Sequence, residues 1–188
     1  NQPNTLAAST VLVGTSASEN QFGASVAWLP YFKDQNLCTG SESIAVGSPG
    51  KTATFPQDGG FQVFPKSGTG FSATPCLSVD GGTVAGLNGH FGSRIESLGN
   101  IDNDALNTTE IAVSTQSPTK GLVRVYGSTY KSLDVTEPMF GLRVINAGDF
   151  DGNGTAELAI SSPQAKVFGK SSAGSVSIYR LADIDDDD

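Results

Sequence analysis

Nine residues near the C-terminal end of the chain combine acidic, amide and glycine residues in a spacing that suits a metal ion. Oxygen-bearing side chains occupy alternate positions at Asp149, Asp151 and Asn153, and a glycine follows each of the last two. Alternate residues of a tightly curled loop point inward, and glycine permits the left-handed backbone that the curl needs. The carbonyl of Thr155 and the carboxylate of Glu157 complete about five or six oxygens, close to the ~6 to 8 that calcium takes. The sequence therefore predicts a Ca²⁺ site in this loop.

Besides calcium, a magnesium site and a solvated turn remain possible interpretations of the loop. Magnesium demands stricter octahedral geometry and keeps more water, so it fits less well. An EF-hand is excluded because Glu157 is at the ninth position rather than the twelfth, and because a short apolar strand at 158–160 follows it rather than a helix. The remaining alternative is a solvated Asp/Gly turn between two strands.

The elements around this loop recur twice earlier in the chain. Each repeat starts with Phe-Gly, continues through a polar loop to an apolar strand with a central alanine, reaches a Ser-Pro pair, and ends on a glycine-led strand. The Phe-Gly pairs lie at 22–23, 91–92 and 140–141. Spacings of 69 and 49 residues fit propeller blades better than helical solenoids. The repeats span approximately 22–79, 91–135 and 140–180.

In the strands of these repeats apolar and polar residues alternate, which is typical of a sheet with one face covered. In the last strand Val176 and Ile178 alternate with serines, which places the apolar side chains on one face. A fourth strand is predicted at 73–79 in the first repeat and at 128–135 in the second, whereas the third repeat runs out at Leu181. A further short strand is predicted over Thr10–Val13. The aromatic residues of the longer connections, Trp28, Tyr31, Phe55 and Phe71, are candidate ligand contacts, although we expect them to be buried.

Composition and charge favour a single domain over residues 1–188, built from many short strands joined by turns. The chain has 23 glycines, 9 prolines and only 16% charged residues. Five of its 19 acidic residues fall in the last six positions, so 183–188 is expected to be a solvated acidic tail. The rest is nearly balanced and has no basic cluster, which argues against nucleic-acid partners. No apolar run reaches ~18 residues, so no membrane insertion is predicted.

The two cysteines, Cys38 and Cys76, are far apart and belong to no zinc-type motif. An even count in a polar, glycine-rich chain favours one disulfide and an oxidising compartment, secreted, cell-surface or periplasmic. The alternative is two reduced thiols that are buried separately.

The ordered Phe-Gly, Ser-Pro and acidic-loop elements resemble the FG-GAP repeats of integrin alpha-subunit β-propellers. The resemblance covers about residues 22–180. It implies an all-β fold of about three four-stranded FG-GAP propeller-type blades, calcium on one rim, and ligand binding by loops on the opposite rim. Three blades form an incomplete ring, because propellers have ~4 to 8. The chain is therefore either a fragment of a longer propeller or a unit completed by oligomerisation, as a dimer or trimer.

The earlier loops depart from the family pattern to different degrees. The second repeat offers Asn100, Asp102, Asp104 and Glu110, but its glutamate comes two residues late, so this is the weaker of two predicted calcium sites. The first repeat has Cys38 where a ligand is required, and no metal is expected there.

The favoured function is a calcium-stabilised extracellular recognition or adhesion module that binds a cell-surface glycan or protein through its inter-strand loops. The alternatives are an architectural or oligomerisation unit of a larger surface or fibre protein and, less favoured, part of a propeller hydrolase or lyase. Catalysis is not expected, because His90 is the only histidine and no Gly-x-Ser-x-Gly motif occurs. A carboxylate pair such as Glu96 and Glu137 has no support beyond residue type.

Overall fold

The computed structural model describes residues 10–14, 20–34, 37–83, 89–128 and 130–184, and it is all-β with three antiparallel sheets in chain order. The first sheet contains β1 (Ser25–Lys33), β2 (Thr39–Gly47), β3 (Gly60–Ser67), β4 (Gly70–Phe71) and β5 (Leu77–Asp80). The second contains β6 (Arg94–Gly99), β7 (Glu110–Ser114), β8 (Gly121–Tyr126) and β9 (Lys131–Val135). The third contains β10 (Val144–Gly148), β11 (Glu157–Ser162) and β12 (Ser175–Arg180). Each sheet corresponds to one predicted repeat, so the all-β, blade-type prediction is confirmed.

The three alanines of the repeat pattern lie at the same place in their sheets. Ala45, Ala112 and Ala159 each sit in the second strand, paired on both sides with residues of the first and third strands. The first strands β1, β6 and β10 lie next to one another. This arrangement is that of successive propeller blades around an axis, although none of the sheets closes on itself.

The sheets stack face to face around two apolar cores. The first core lies between the first and second sheets, and it includes Ala27, Ala45, Val63, Ile95, Ile111 and Val113. The second core lies between the second and third sheets, and it includes Ala112, Val123, Val125, Val144, Leu158 and Ile160. Each internal sheet face is therefore covered by the next sheet along the chain.

The Phe-Gly pair of a repeat joins it to the repeat before. Phe91 and Phe140 are fully buried between sheets, and the carbonyl of Phe91 accepts the N–H of Gly60 at 2.9 Å. Gly92 has φ +83, and a Cβ on it would lie 2.2 Å from the Gly60 carbonyl oxygen. Glycine is therefore required, because the backbones approach too closely for any side chain. Phe22 precedes the first of the described sheets and packs edge-on against Phe64 of that sheet.

Two faces at the ends of the stack are left partly uncovered. On the third sheet Ile145, Val176 and Ile178 are 54%, 67% and 48% exposed. On the outer face of the first sheet, Val26 and Trp28 are 54% and 56% exposed. These residues follow the strand period, so they are the apolar rows that a further sheet would bury.

Several details differ from the sequence-based expectations. Residues 10–14 form no strand, so the prediction over Thr10–Val13 is wrong; Thr10 lies at the first sheet through a side-chain hydrogen bond to the N–H of Phe71. Trp28, Tyr31 and Phe55 are exposed rather than buried, and Trp28 and Tyr31 lie in β1 rather than in loops. The third sheet has three strands, as predicted. Of the acidic end, Asp183 closes a short 3₁₀ turn and Ile184 is buried, whereas 185–188 lie outside the described residues.

Strand connectivity gives the stack two rims. The connections β1–β2, β6–β7 and β10–β11 lie on one side, which we call the acidic rim. The connections β2–β3, β7–β8 and β11–β12 lie on the opposite side with the three Phe-Gly pairs, and we call this side the Phe-Gly rim. Among the described residues no helix has the length and apolarity to cross a membrane.

Candidate functional site

The loop between β10 and β11 is curled by its own acidic side chains. Both oxygens of Asp149 accept backbone N–H groups, from Asn153 and Gly154, each at 2.9 Å. Asp151 Oδ1 also accepts the N–H of Asn153, at 3.1 Å. Gly152 and Gly154 have φ +74 and +91, as the curl requires. The backbone N–H groups of the loop therefore hold both oxygens of Asp149 and one oxygen of Asp151 in position.

The curl brings three carboxylates together. Oxygens of Asp149, Asp151 and Glu157 lie within 4.8 Å of one another. Glu157 is buried at the first position of β11, and its Oε2 accepts the N–H of Phe150 at 3.0 Å. Its Oε1 is buried and has no hydrogen-bond partner among the described residues. An unpaired carboxylate oxygen is costly to bury, and a cation bound between the three groups would satisfy it. The donor set is made only of hard oxygens, so it fits calcium.

The other two predicted ligands, Asn153 and Thr155, lie in the same loop. The Asn153 side-chain oxygen accepts the N–H of Thr155 at 2.8 Å and its hydroxyl at 2.6 Å. These bonds shape the last part of the curl. Ligation by the Asn153 oxygen and the Thr155 carbonyl stays a prediction.

The start of the loop between β6 and β7 has the same hydrogen bonds as the start of the β10–β11 loop, at equivalent residues. Asp104 N–H donates to Asn100 Oδ1 at 3.1 Å and to Asp102 Oδ1 at 3.2 Å, matching the bonds of Asn153. Glu110 Oε2 accepts the N–H of Ile101 at 3.1 Å, as Glu157 does from Phe150. The two additional residues before Glu110 do not displace its carboxylate.

The carboxylates of this second loop are hydrogen-bonded by hydroxyl groups. Ser128 Oγ lies 2.7 Å from Asp102 Oδ2 and 3.1 Å from Glu110 Oε1. Thr108 Oγ1 lies 2.7 Å from Asp104 Oδ2 and 3.1 Å from the same Glu110 oxygen. Burial, and then the negative charge of Asp102, raise the pKa of Glu110 to about 7. Neutral hydroxyl groups therefore satisfy the buried carboxylate oxygen here, as a cation would in the third loop. Calcium binding by the second loop stays a prediction.

The same two connections are tied together in all three repeats, by different chemistry each time. In the first, Cys38 and Cys76 form a disulfide with a Cα–Cα distance of 5.2 Å, which confirms the predicted pair. In the second, Ser128 bridges to Asp102 and Glu110. In the third, Arg180 Nε donates to Asp151 Oδ2 at 2.7 Å. Each tie links the loop after the first strand to the end of the third strand or to the segment that follows it.

Sequence reasoning missed two of these three ties. Ser128 and Arg180 carry no local motif, since each lies far along the chain from the carboxylate it meets. Of the residues weighed for catalysis, His90 lies on the Phe-Gly rim, and Glu137 accepts the Ser175 hydroxyl at 3.5 Å. The described residues show no hydrogen bond between Glu96 and Glu137.

Comparison with known proteins agrees with this geometry. Residues 142–179, which run from just before β10 to within β12, match the family model of the FG-GAP repeat. Residues 142–179 are therefore similar to an FG-GAP repeat, and the chain as a whole is all-β with three stacked sheets. Over 136 residues the chain is 26% identical to integrin alpha-4 of Xenopus laevis, a match that covers 65% of this chain and 13% of that protein. The chain is thus similar to a part of an integrin alpha chain, and it spans only a small part of that protein's length.

Proposed function

We propose that the chain is a non-catalytic, calcium-stabilised extracellular recognition module that binds a protein ligand through loops of the Phe-Gly rim. The carrying observation is the convergence of Asp149, Asp151 and Glu157 around an unpaired buried carboxylate oxygen. The similarity to an integrin alpha chain and the disulfide support an extracellular setting. A bound cation would fix the acidic rim, and the stacked sheets would hold the opposite rim rigid for binding.

Two exposed phenylalanines mark the loops that we propose for ligand contact. Phe55 is 43% exposed in the β2–β3 loop, where Asp58 accepts the N–H groups of Ala53, Thr54 and Phe55. Phe168 is 98% exposed at the tip of the β11–β12 connection. Aromatic side chains are enriched in protein interfaces, and both of these lie on held loops rather than in a core. They support a protein ligand, with a glycan as the alternative.

Phe168 also adopts a backbone conformation that favours glycine or asparagine. Val167 and Lys170 exchange backbone hydrogen bonds at 3.1 and 3.0 Å, which makes a two-residue hairpin turn. Both central residues have positive φ, +49 for Phe168 and +80 for Gly169. A bulky residue is strained there, and it gains no burial in return. This combination supports a role for the side chain outside the fold.

Calcium dependence is tested by thermal unfolding of the purified chain with and without Ca²⁺. The melting temperature should rise with calcium, because a ligand of the native state stabilises it by mass action. Asp151→Ala should lose most of that rise, whereas Asp134→Asn, which removes an exposed charge from the second sheet, should retain it. An unchanged response of Asp151→Ala would mean that the ion binds elsewhere.

Ligand binding is tested by solid-phase assays on a panel of extracellular proteins and on a glycan array, each with calcium and with chelator. The proposal is supported if protein binding is weaker in Phe168→Ser and in Phe55→Ser. Both variants must remain folded and must still be stabilised by calcium. Binding restricted to the glycan array would replace the protein ligand by a sugar. Turnover of a chromogenic substrate panel would revive the hydrolase alternative.

A second candidate function is assembly, and the open face of the third sheet favours it. We propose that Ile145, Val176 and Ile178 of one copy pack against the exposed Val26 and Trp28 face of a second copy, which continues the stacking within the chain. Light scattering should then give a dimer or trimer that Ile145→Asp with Val176→Asp converts to monomer. Leu106→Asp, which changes an exposed loop leucine, serves as control. A monomeric mass for the unmodified chain would refute assembly through these faces.

A further inference from the structure

A cavity of about 440 Å³ opens on the Phe-Gly rim where the three repeats meet. Its walls come from residues before β1 and β10, from the start of β6 and from the segments that follow β2 and β7. They include Gln21, His90, Ser93, Arg94, Gln116 and Met139. Ligand sites in proteins have volumes of ~300 to 1,000 Å³. The cavity is therefore large enough for a side chain of a partner with some of its backbone.

Arg94 provides hydrogen-bond donors in this cavity that the fold does not use. Its Nη1 makes one long bond, 3.3 Å, to the carbonyl of Ser93. Its Nε is buried and has no hydrogen-bond partner among the described residues. Burying a guanidinium donor without a partner is costly, so the site is incomplete by itself. The equivalent residue of the third repeat, Arg143, is exposed and does not line the cavity.

The charge around the cavity is opposite to that of the chain as a whole. The chain has 19 acidic and 11 basic residues, but none of the described residues that line the cavity is acidic. Gln21 and Gln116 add amide groups, and His90 Nδ1 lies 3.3 Å from the Pro49 carbonyl oxygen. The wall is therefore polar with a single fixed positive charge among its described residues, which suits an anion.

Backbone strain converges on the same place. The residue before each Phe-Gly pair has positive φ: +64 for Gln21, +49 for His90 and +59 for Met139. None of them is glycine, and all three line the cavity. Non-glycine residues with positive φ are uncommon, and strained backbone tends to cluster at ligand sites.

We infer that this cavity binds the carboxylate of an acidic side chain from a protein partner, with Arg94 as the paired donor. The planar guanidinium of arginine presents a fork of N–H donors that matches a carboxylate in a bidentate pair. A dianionic phosphate fits less well, since Arg94 is the only guanidinium among the described residues of the wall. The inference that the carboxylate belongs to a protein rests on the proposed function. The inference that a carboxylate binds here rests on the residues that line the cavity.

The test follows the Arg94 Nε–H signal by NMR in the full chain during titration with N-acetyl-aspartyl-N-methylamide. A saturable shift in the millimolar range is expected, with no comparable shift from the matching asparagine amide. Arg94→Gln should abolish binding, as read from backbone shifts around the cavity, and Arg143→Gln should leave it unchanged. Methyl glucuronide is titrated in parallel, because it presents a carboxylate on a sugar rather than on a peptide.

Each outcome separates the two proposals. Absence of a saturable shift with either carboxylate would overturn the cavity assignment, while calcium-dependent stability and Phe168-dependent protein binding would still stand on their own. Tighter binding of the glucuronide than of the aspartyl amide would overturn the protein source. Equal shifts from the asparagine amide, or retained binding in Arg94→Gln, would show that the charge of Arg94 is not recognised.

Discussion

Glu110 and Glu157 occupy the same position in two successive loops, and each accepts one backbone N–H, at 3.1 Å from Ile101 and at 3.0 Å from Phe150. They differ in the second carboxylate oxygen. In Glu110 it meets the hydroxyls of Thr108 and Ser128, whereas in Glu157 it is buried without a partner among the described residues. The two loops therefore share a backbone frame and differ in what completes it.

This difference predicts unequal calcium responses of two matched variants. Glu157→Gln should abolish most of the calcium-induced rise in melting temperature, because it removes one of three converging charges. Glu110→Gln should retain most of it. At a calcium concentration near 100 times Kd, the native chain should gain about 2.7 kcal/mol of unfolding free energy. Calorimetry with and without calcium measures both variants, and equal losses would assign the response to both loops.

Arg180 is expected to compete with the cation for Asp151. Its Nε holds Asp151 Oδ2 at 2.7 Å, and its charge lies beside the loop. Asp151 in turn raises the pKa of Arg180 through their hydrogen bond, so the competing charge is permanent. Arg180→Gln should therefore tighten calcium binding several-fold in an isothermal titration, and more at low ionic strength. Weaker binding in this variant would instead mean that Arg180 positions Asp151 for the ion.

Glu110 predicts a pH dependence of stability. Its pKa is raised to about 7 from an ordinary 4.5, so the folded chain binds this proton more tightly than the unfolded chain does. Stability should therefore fall as pH rises from about 4.5 to 7, by up to about 3 kcal/mol at 1.36 kcal/mol per pKa unit. Denaturant unfolding in chelator should show this fall in the native chain relative to Glu110→Gln. Parallel pH profiles of the two proteins would contradict the raised pKa.

Phe168→Asn should stabilise the chain. The substitution places an Asn-Gly pair at the turn, which two-residue turns with positive φ prefer, and it removes a fully exposed phenylalanine from a strained position. A gain of about 1 kcal/mol is expected in denaturant unfolding, with an unchanged m-value. The same variant should bind a protein ligand less well. Destabilisation would show that the side chain supports the fold.

The disulfide should contribute more stability than any single hydrogen-bonded tie. Cys38 and Cys76 are 38 residues apart, and the chain-entropy relation gives about 4 kcal/mol for a loop of that length. Cys38→Ala with Cys76→Ala should lower the melting temperature by an amount that calcium does not restore. The calcium-induced rise should survive in this variant, since the third loop lies two sheets away. Its loss would couple the two ends of the stack.

The repeats were predictable because strand period and Phe-Gly spacing are local signals. The curl of 149–157 was predictable for the same reason, since Asp149 and Asp151 bond within their own loop. The exposure of Trp28 was not predictable, because it depends on whether another sheet precedes the first. The roles of Ser128 and Arg180 were not predictable either, because each meets an acidic loop only after the sheet has formed. The cavity around Arg94 requires three repeats to be stacked before it exists.

In successive blades the corresponding corner holds a disulfide, a hydroxyl network, and an acidic trio that Arg180 contacts, so each blade would respond to a different property of its surroundings. Oxidation would lock the first, mild acidity would favour the second, and dissolved calcium would fasten the third. The stack as a whole would then be most rigid in a medium that is oxidising, mildly acidic and rich in calcium.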